Sequence, residues 1–238
     1  MIQAKERPIL FSAPMVRAIL SGQKTVTRRE VKKPAALDCL AAGFEPAFLA
    51  LPGNGDLCPY GKVGDRLWVR ETWSDVNLQG APGIAYRADG DVRDLMEDAS
   101  FLDEDGAFDY DDPRSKPYQF ACWSEDLLGG KDGRWRPSIH IPRWASRILL
   151  EITDVRVERL QEGDGETAFE SRYVAEGIHR IHHGDGDYYF HPFKDEPGPG
   201  NWSDPFDAWR ELWVSINGAE SWNANPWVWV VEFKRVTP

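Results

Sequence analysis

The segment GDRLWVRETW, residues 64–73, has the period of two that marks a half-buried strand. Leu67, Val69 and Glu71 fall on one side of it, and Trp68, Arg70 and Thr72 on the other. The aliphatic side is the inner one, so the pattern carries the Glu71 carboxylate inward. An unpaired buried charge is very costly, so any fold this chain adopts has to supply Glu71 with a partner. Two further segments read as strands: RILLEITDVRVERL (147–160) and NPWVWVVEFKRV (225–236).

Helices are fewer. PILFS (8–12) reads as a short strand, after which Ser12 is a candidate N-cap and Pro14 takes the first turn of a helix that Gly22 stops. TVTRRE (25–30) then reads as extended. GDGETAFESRYVAEGI (163–178) reads as helical, with Gly177 as its stop. PFDAWRELWVSING (205–218) is a second helix, capped by Asp204, with Phe206, Trp209, Leu212 and Trp213 in one core-facing stripe. The remaining stretches, 34–62, 89–134 and 179–203, read as loop insertions, and the acidic run at 89–113 as a solvated excursion. This order predicts an α+β fold: one domain over 1–238, built on a small β-barrel with flanking helices.

Composition narrows the function classes. The net charge of −11 argues against a protein that coats nucleic acid. The charge is uneven, however: basic residues dominate 1–33 and acidic ones 89–113. A local positive site would suit a small anionic ligand or a single nucleotide. No apolar run is long enough to span a bilayer, and the N-terminal residues lack a signal-peptide pattern, so a cytoplasmic protein without membrane partners is expected. Cys39, Cys58 and Cys122 have neither disulfide-framework nor zinc spacing. His179, His182, His183 and His191 lack a helical ligand pattern and read as a polar loop, so no metal and no cofactor is expected.

The chemistry-bearing candidates cluster early. A threonine hydroxyl becomes a nucleophile when a base takes its proton, and a neutral lysine can be that base. Lys24 and Thr27 follow the first helix, and Arg28 and Arg29 stand close enough to depress the lysine pKa. Glu71, on the inner face of its strand, could orient either group or move a proton. Arg143 lies in a second basic stretch, 134–147. Trp68 and Trp144 are candidates to stack on a base, beside an ordinary packing role.

ILFSAPMVRAILSGQKTVTRR together with GDRLWVRETW resembles the ASCH family, whose fold is PUA-like. The family signature Gly-x-Lys-x-x-(Thr or Glu)-x-Arg is matched by Gly22, Lys24, Thr27 and Arg29. WRPSIHIPRWASRILLEITDVRVERL and LWVSINGAESWNANPWVWVVEF look like the longer members found in phages and prophages. The resemblance implies an amidohydrolase that removes the acyl group from N4-acetylcytidine or a related modified base. It gives catalytic roles to Lys24, Thr27 and Glu71, and substrate contacts to Arg29, with Arg28, Trp68, Arg143 and Trp144 as further binding candidates. It also leaves open an RNA-binding or RNA-cleaving module acting on RNA or single-stranded nucleic acid, and a non-catalytic phage accessory protein. Oligomeric state is not legible.

Overall fold

Strand alternation and register dominate the computed structural model, which describes residues 4–162, 172–184 and 186–236. A five-stranded sheet has the order β1 (Glu6–Leu10), β3 (Arg66–Arg70), β7 (Leu149–Arg159), β10 (Trp227–Val236) and β2 (Val26–Glu30). The fold is α+β. Among the described residues the sheet is open, with β1 and β2 as its edges, and no strand pairing closes a barrel.

The chain divides into two compact units. Unit 1 is discontinuous: Met1–Arg7, Ala18–Leu67 and Leu149–Pro238. Unit 2 is Pro8–Arg17 with Trp68–Ile148.

In unit 1, β10 runs antiparallel to both β2 and β7. Its register sets Thr27 opposite Val231, Arg28 opposite Val230 and Arg29 opposite Trp229. Val230 in turn faces Arg156, and Val228 faces Glu158. Directly paired residues share a face, and neighbours along a strand alternate. Thr27 and Arg29 therefore project from one face, with Val231 and Trp229. Arg28 projects from the other, with Arg156 and Glu158. The helix α5 (Pro205–Asn217) lies on the Arg28 face, where the Trp209 ring centroid is 5.5 Å from the Arg28 guanidinium. Its start follows from the sequence: the Asp204 carboxylate accepts the Phe206 N–H at 2.8 Å, and Pro205 takes the first turn. Trp209, Leu212 and Trp213 are buried, as the stripe requires.

Residues 34–62 are not a featureless loop. They hold two short helices, α2 (Pro34–Ala41) and α3 (Pro46–Leu49), each opened by a proline. The helix expected over 163–178 falls largely on residues outside the described ones. Its described end, Val174–Glu176, is a single 3-10 turn closed by Gly177 at φ +100°.

Unit 2 is organised on the sheet β4 (Trp73–Leu78), β5 (Ala81–Tyr86) and β6 (Val92–Asp94). Its core is aromatic: Trp73, Tyr86, Phe101, Phe108 and Phe120 are buried together with Ile84 and Leu95. This corrects the reading of 89–113 as a solvated excursion, because Leu95, Phe101 and Phe108 sit in that core. The acidic residues around them terminate backbone N–H groups. Asp94 accepts from Met96, Asp98 from Ser100, Asp103 from Ala107, and Asp112 from Arg114, at 2.7–3.1 Å. A carboxylate that caps its own turn keeps the chain folded over apolar neighbours without being buried itself.

Candidate functional site

The corner between α1 (Ala13–Leu20) and β2 is built by local rules. Gly22, at φ +80°, turns the chain, and the Lys24 N–H returns to the Ala18 carbonyl at 2.9 Å. The Lys24 side chain then runs inward and is the only buried lysine among the described residues. Its Nζ donates to the Val26 carbonyl at 2.7 Å, to the Glu176 carbonyl at 2.6 Å and to Glu176 Oε2 at 2.9 Å. Three acceptors call for three N–H donors, and only the ammonium has them.

Glu176 is shared. Its second oxygen, Oε1, accepts from Arg28 Nη1 at 2.9 Å. Arg28 Nε donates to Glu158 Oε1 at 2.9 Å, and Glu158 also takes Arg172 at 3.2 Å and Arg156 at 3.5 Å. Arg28 is buried, with its guanidinium over the rings of Tyr173 and Trp209. The result is an alternating chain of charges: Lys24, Glu176, Arg28, Glu158. Burial pushes the Glu176 pKa up, but Lys24 and Arg28 outweigh it and hold it below the ordinary carboxylate value. Burial lowers the Lys24 pKa; Glu176 opposes this, while Arg29 and Arg28 add to it.

Glu176 owes its approach to the residue after it. A Cβ at Gly177 would lie 3.3 Å from the Ala18 Cβ and 3.6 Å from the Lys24 Cδ, and φ there is in the left-handed region. Glycine alone turns at this point with so little room.

Thr27 is 2% exposed and lies on the sheet face opposite Arg28. Arg29, on the Thr27 face, is half-buried, and burial lowers its pKa against the pull of Tyr60 and Glu176. Unit 1 therefore holds all four residues, with Arg28 tied to Lys24 through Glu176 and with Thr27 and Arg29 on the opposite face of β2. The carboxylate bonded to the lysine is Glu176, which nothing in the sequence singles out. Glu158 is equally silent; its place in an alternating strand says only which face it shares.

Glu71 is buried, as its strand pattern predicts, and its partner is Arg147 within unit 2. Arg147 Nε and Nη2 hold the two carboxylate oxygens at 3.0 and 2.9 Å. The same guanidinium also bonds Asp89 and Asp91, at 2.8–3.0 Å, and stacks 4.1 Å from the Tyr86 ring centroid. Burial raises the Glu71 pKa; Arg147 opposes this, and Asp89 and Asp91 reinforce it.

The other candidates lie in unit 2. Trp68 and Trp144 are half-buried and pack on its aromatic core, Trp144 at 5.1 Å from Phe101 and 5.8 Å from Tyr118 between centroids. Arg143 is half-buried beside Trp144 in a 3-10 turn. His179 and His191 are paired across the hairpin of β8 (His179–His182) and β9 (Tyr188–His191), and His191 Nδ1 accepts the Phe193 and Lys194 N–H groups. Among the described residues no group of three or more His, Cys, Asp or Glu is arranged to hold a metal ion, and no helix is long and apolar enough to cross a membrane. The three cysteines are free. Compared with protein families, with curated proteins and with solved structures, the chain matches none of them.

Proposed function

We propose that unit 1 carries an acyl-amide hydrolase centre formed by Lys24, Thr27 and Glu176, acting on N4-acylated cytosine nucleosides or a related modified base. The observation that carries this reading is the buried Lys24–Glu176 pair at the entry to the strand that bears a buried threonine. The ASCH resemblance supports it, and with that resemblance goes a PUA-like reading of the open α+β sheet.

In the resting pair Lys24 is the ammonium. Passing one proton to Glu176 leaves a neutral pair, a minor state that burial brings within reach because it penalises both charges. The amine then exchanges its bond to the Val26 carbonyl for the Thr27 hydroxyl and takes its proton. Thr27 Oγ1 bonds to the acyl carbon, and the carbonyl electron pair moves to oxygen. Collapse breaks the C–N4 bond, with Lys24 returning a proton to the leaving amine. Water, deprotonated by Lys24, then splits the threonine ester into carboxylate and free hydroxyl, and Glu176 gives up its proton to solvent to restore the ionised pair. In this reading Arg29 polarises the substrate. Glu176 thus takes the part that the resemblance gives to Glu71, and Glu71 serves the fold of unit 2.

The test is release of cytidine and acetate from N4-acetylcytidine. Thr27→Ala is expected to lose about a thousandfold or more in kcat, and Thr27→Ser to keep most of it. Parental rates in a folded Thr27→Ala protein would sink the mechanism.

Nucleic-acid binding is the second reading, favoured by the half-buried aromatics Trp68, Tyr118 and Trp144 in unit 2 with Arg136 over the Tyr118 ring at 5.3 Å. It predicts RNA affinity that falls steeply with salt.

A further inference from the structure

Arg28 stands in the motif region as a candidate substrate contact, yet its surroundings give it a different task. It is 5% exposed, and its hydrogen bonds run to the buried carboxylates of Glu158 and Glu176. Nε and Nη1 are committed to Glu158 and Glu176, and the guanidinium plane lies against Tyr173 and Trp209. It also projects from the face of β2 opposite Thr27. A side chain so placed acts on the reaction by way of the Lys24–Glu176 pair, to which its bond to Glu176 ties it.

We propose that Arg28 and Glu158 are positioning residues that fix the Glu176 carboxylate against Lys24 and set the charge state of that pair. This rests on the reading of Lys24, Thr27 and Glu176 as the reacting centre. The geometry gives each member one job. Glu176 has two oxygens, one for Lys24 and one for Arg28, both at 2.9 Å. Arg28 has a planar fork, so holding Glu158 with Nε orients Nη1 toward Glu176. Glu158 is in turn held by Arg172 from the turn before Glu176 and by Arg156 from its own strand. The charged groups that act on the Lys24–Glu176 pair are therefore Arg28, which bonds it, and Arg29 from the other face of β2, with Glu158, Arg156 and Arg172 one step behind.

The two positioning charges have opposite signs, so they move the pair in opposite directions. Removing Arg28 takes a cation away from Glu176, which then protonates more readily. Removing the charge of Glu158 takes an anion away from Arg28, which then favours ionised Glu176 more strongly. A role in packing alone predicts no such sign reversal.

The experiment uses the full chain with Arg28→Gln, Arg28→Lys and Glu158→Gln. It measures the acid limb of kcat/KM on N4-acetylcytidine, and independently the pH titration of the Lys24 Nζ–H resonance, assigned by its loss in Lys24→Met. In Arg28→Gln the acid limb is expected about one pH unit or more higher than in the parent. Arg28→Lys restores most of that change, and Glu158→Gln moves the limb lower. An Arg28→Gln limb that stays in place, or one that moves the same way as in Glu158→Gln, overturns the proposal. If Arg28→Gln does not fold, the downward movement in Glu158→Gln decides: no movement overturns it. If the parent is inactive on the amide, the hydrolase reading fails by itself. The Lys24 titration then decides the charge-setting role, with the same opposite displacements required.

Discussion

Glu176 and Glu71 are both buried carboxylates, each bonded to arginine, and their proton affinities move in opposite directions. Glu176 meets two cations, Lys24 and Arg28, and is held below the ordinary value despite complete burial. Glu71 shares one cation, Arg147, with Asp89 and Asp91, and is raised. Burial pushes both the same way. The local balance of charge decides the outcome: Glu176 bonds two cations, one of them shared with Glu158, whereas Glu71 bonds one cation that it shares with two other carboxylates. A buried carboxylate next to an arginine is therefore not one kind of site.

The sharpest way to break this contrast is to delete the carboxylate in unit 1. Glu176→Leu leaves Lys24 and Arg28 buried without it, and removing one partner of a buried ion pair costs roughly 3–5 kcal/mol. The loss is expected in the midpoint of urea unfolding followed by circular dichroism. Arg147→Met is the counterpart in unit 2. It should cost less, about 2–3 kcal/mol at neutral pH, because Glu71 can take up a proton. Part of that loss should return on acidification, and a loss that is the same at pH 4.5 and pH 7 would contradict the account.

Stability against pH separates the two carboxylates further. Glu176 has a folded pKa below its ordinary 4.5. Its contribution is present above that value and is lost as pH falls through the folded pKa. Glu71 has a folded pKa above its ordinary 4.5. Its contribution is present below that value and is lost as pH rises through the folded pKa. Glu176→Gln should therefore flatten the acid side of the unfolding profile, and Glu71→Gln the decline above pH 4.5. The smallest expected effect is Asp91→Asn, which removes an exposed member of the Arg147 cluster. The change in unfolding free energy should stay under about 0.5 kcal/mol, while Glu71, relieved of one repulsion, titrates at lower pH by carboxyl NMR.

Local rules made much of this legible beforehand. The period of two over Leu67, Val69 and Glu71 predicts their burial. Asp204, Pro205 and the tryptophan stripe define α5, and Gly22 marks the turn ahead of Lys24. The aromatic core of 95–108 was hidden because its acidic neighbours dominate the composition, and their role as turn caps depends on backbone geometry. The partners of Lys24 and Glu71 were hidden for a different reason. Glu176 is 152 residues from Lys24, and Arg147 is 76 from Glu71. No period or spacing connects positions that only strand register and a glycine turn bring together.

The order in which β2 acquires neighbours bears on how the chain survives its own synthesis. Among the described residues β2 has one sheet partner, β10, at residues 227–236. Synthesis from the N-terminus leaves β2 with a bare strand edge until residues 227–236 are made, the kind of edge that recruits other chains. Arg28 and Arg29 in the middle of that strand set adjacent like charges on the edge, and such charges oppose edge-to-edge stacking. Glu158 and Glu176, which hold Arg28 in the finished sheet, are made before β10, so only pairing with residues 227–236 covers the edge itself.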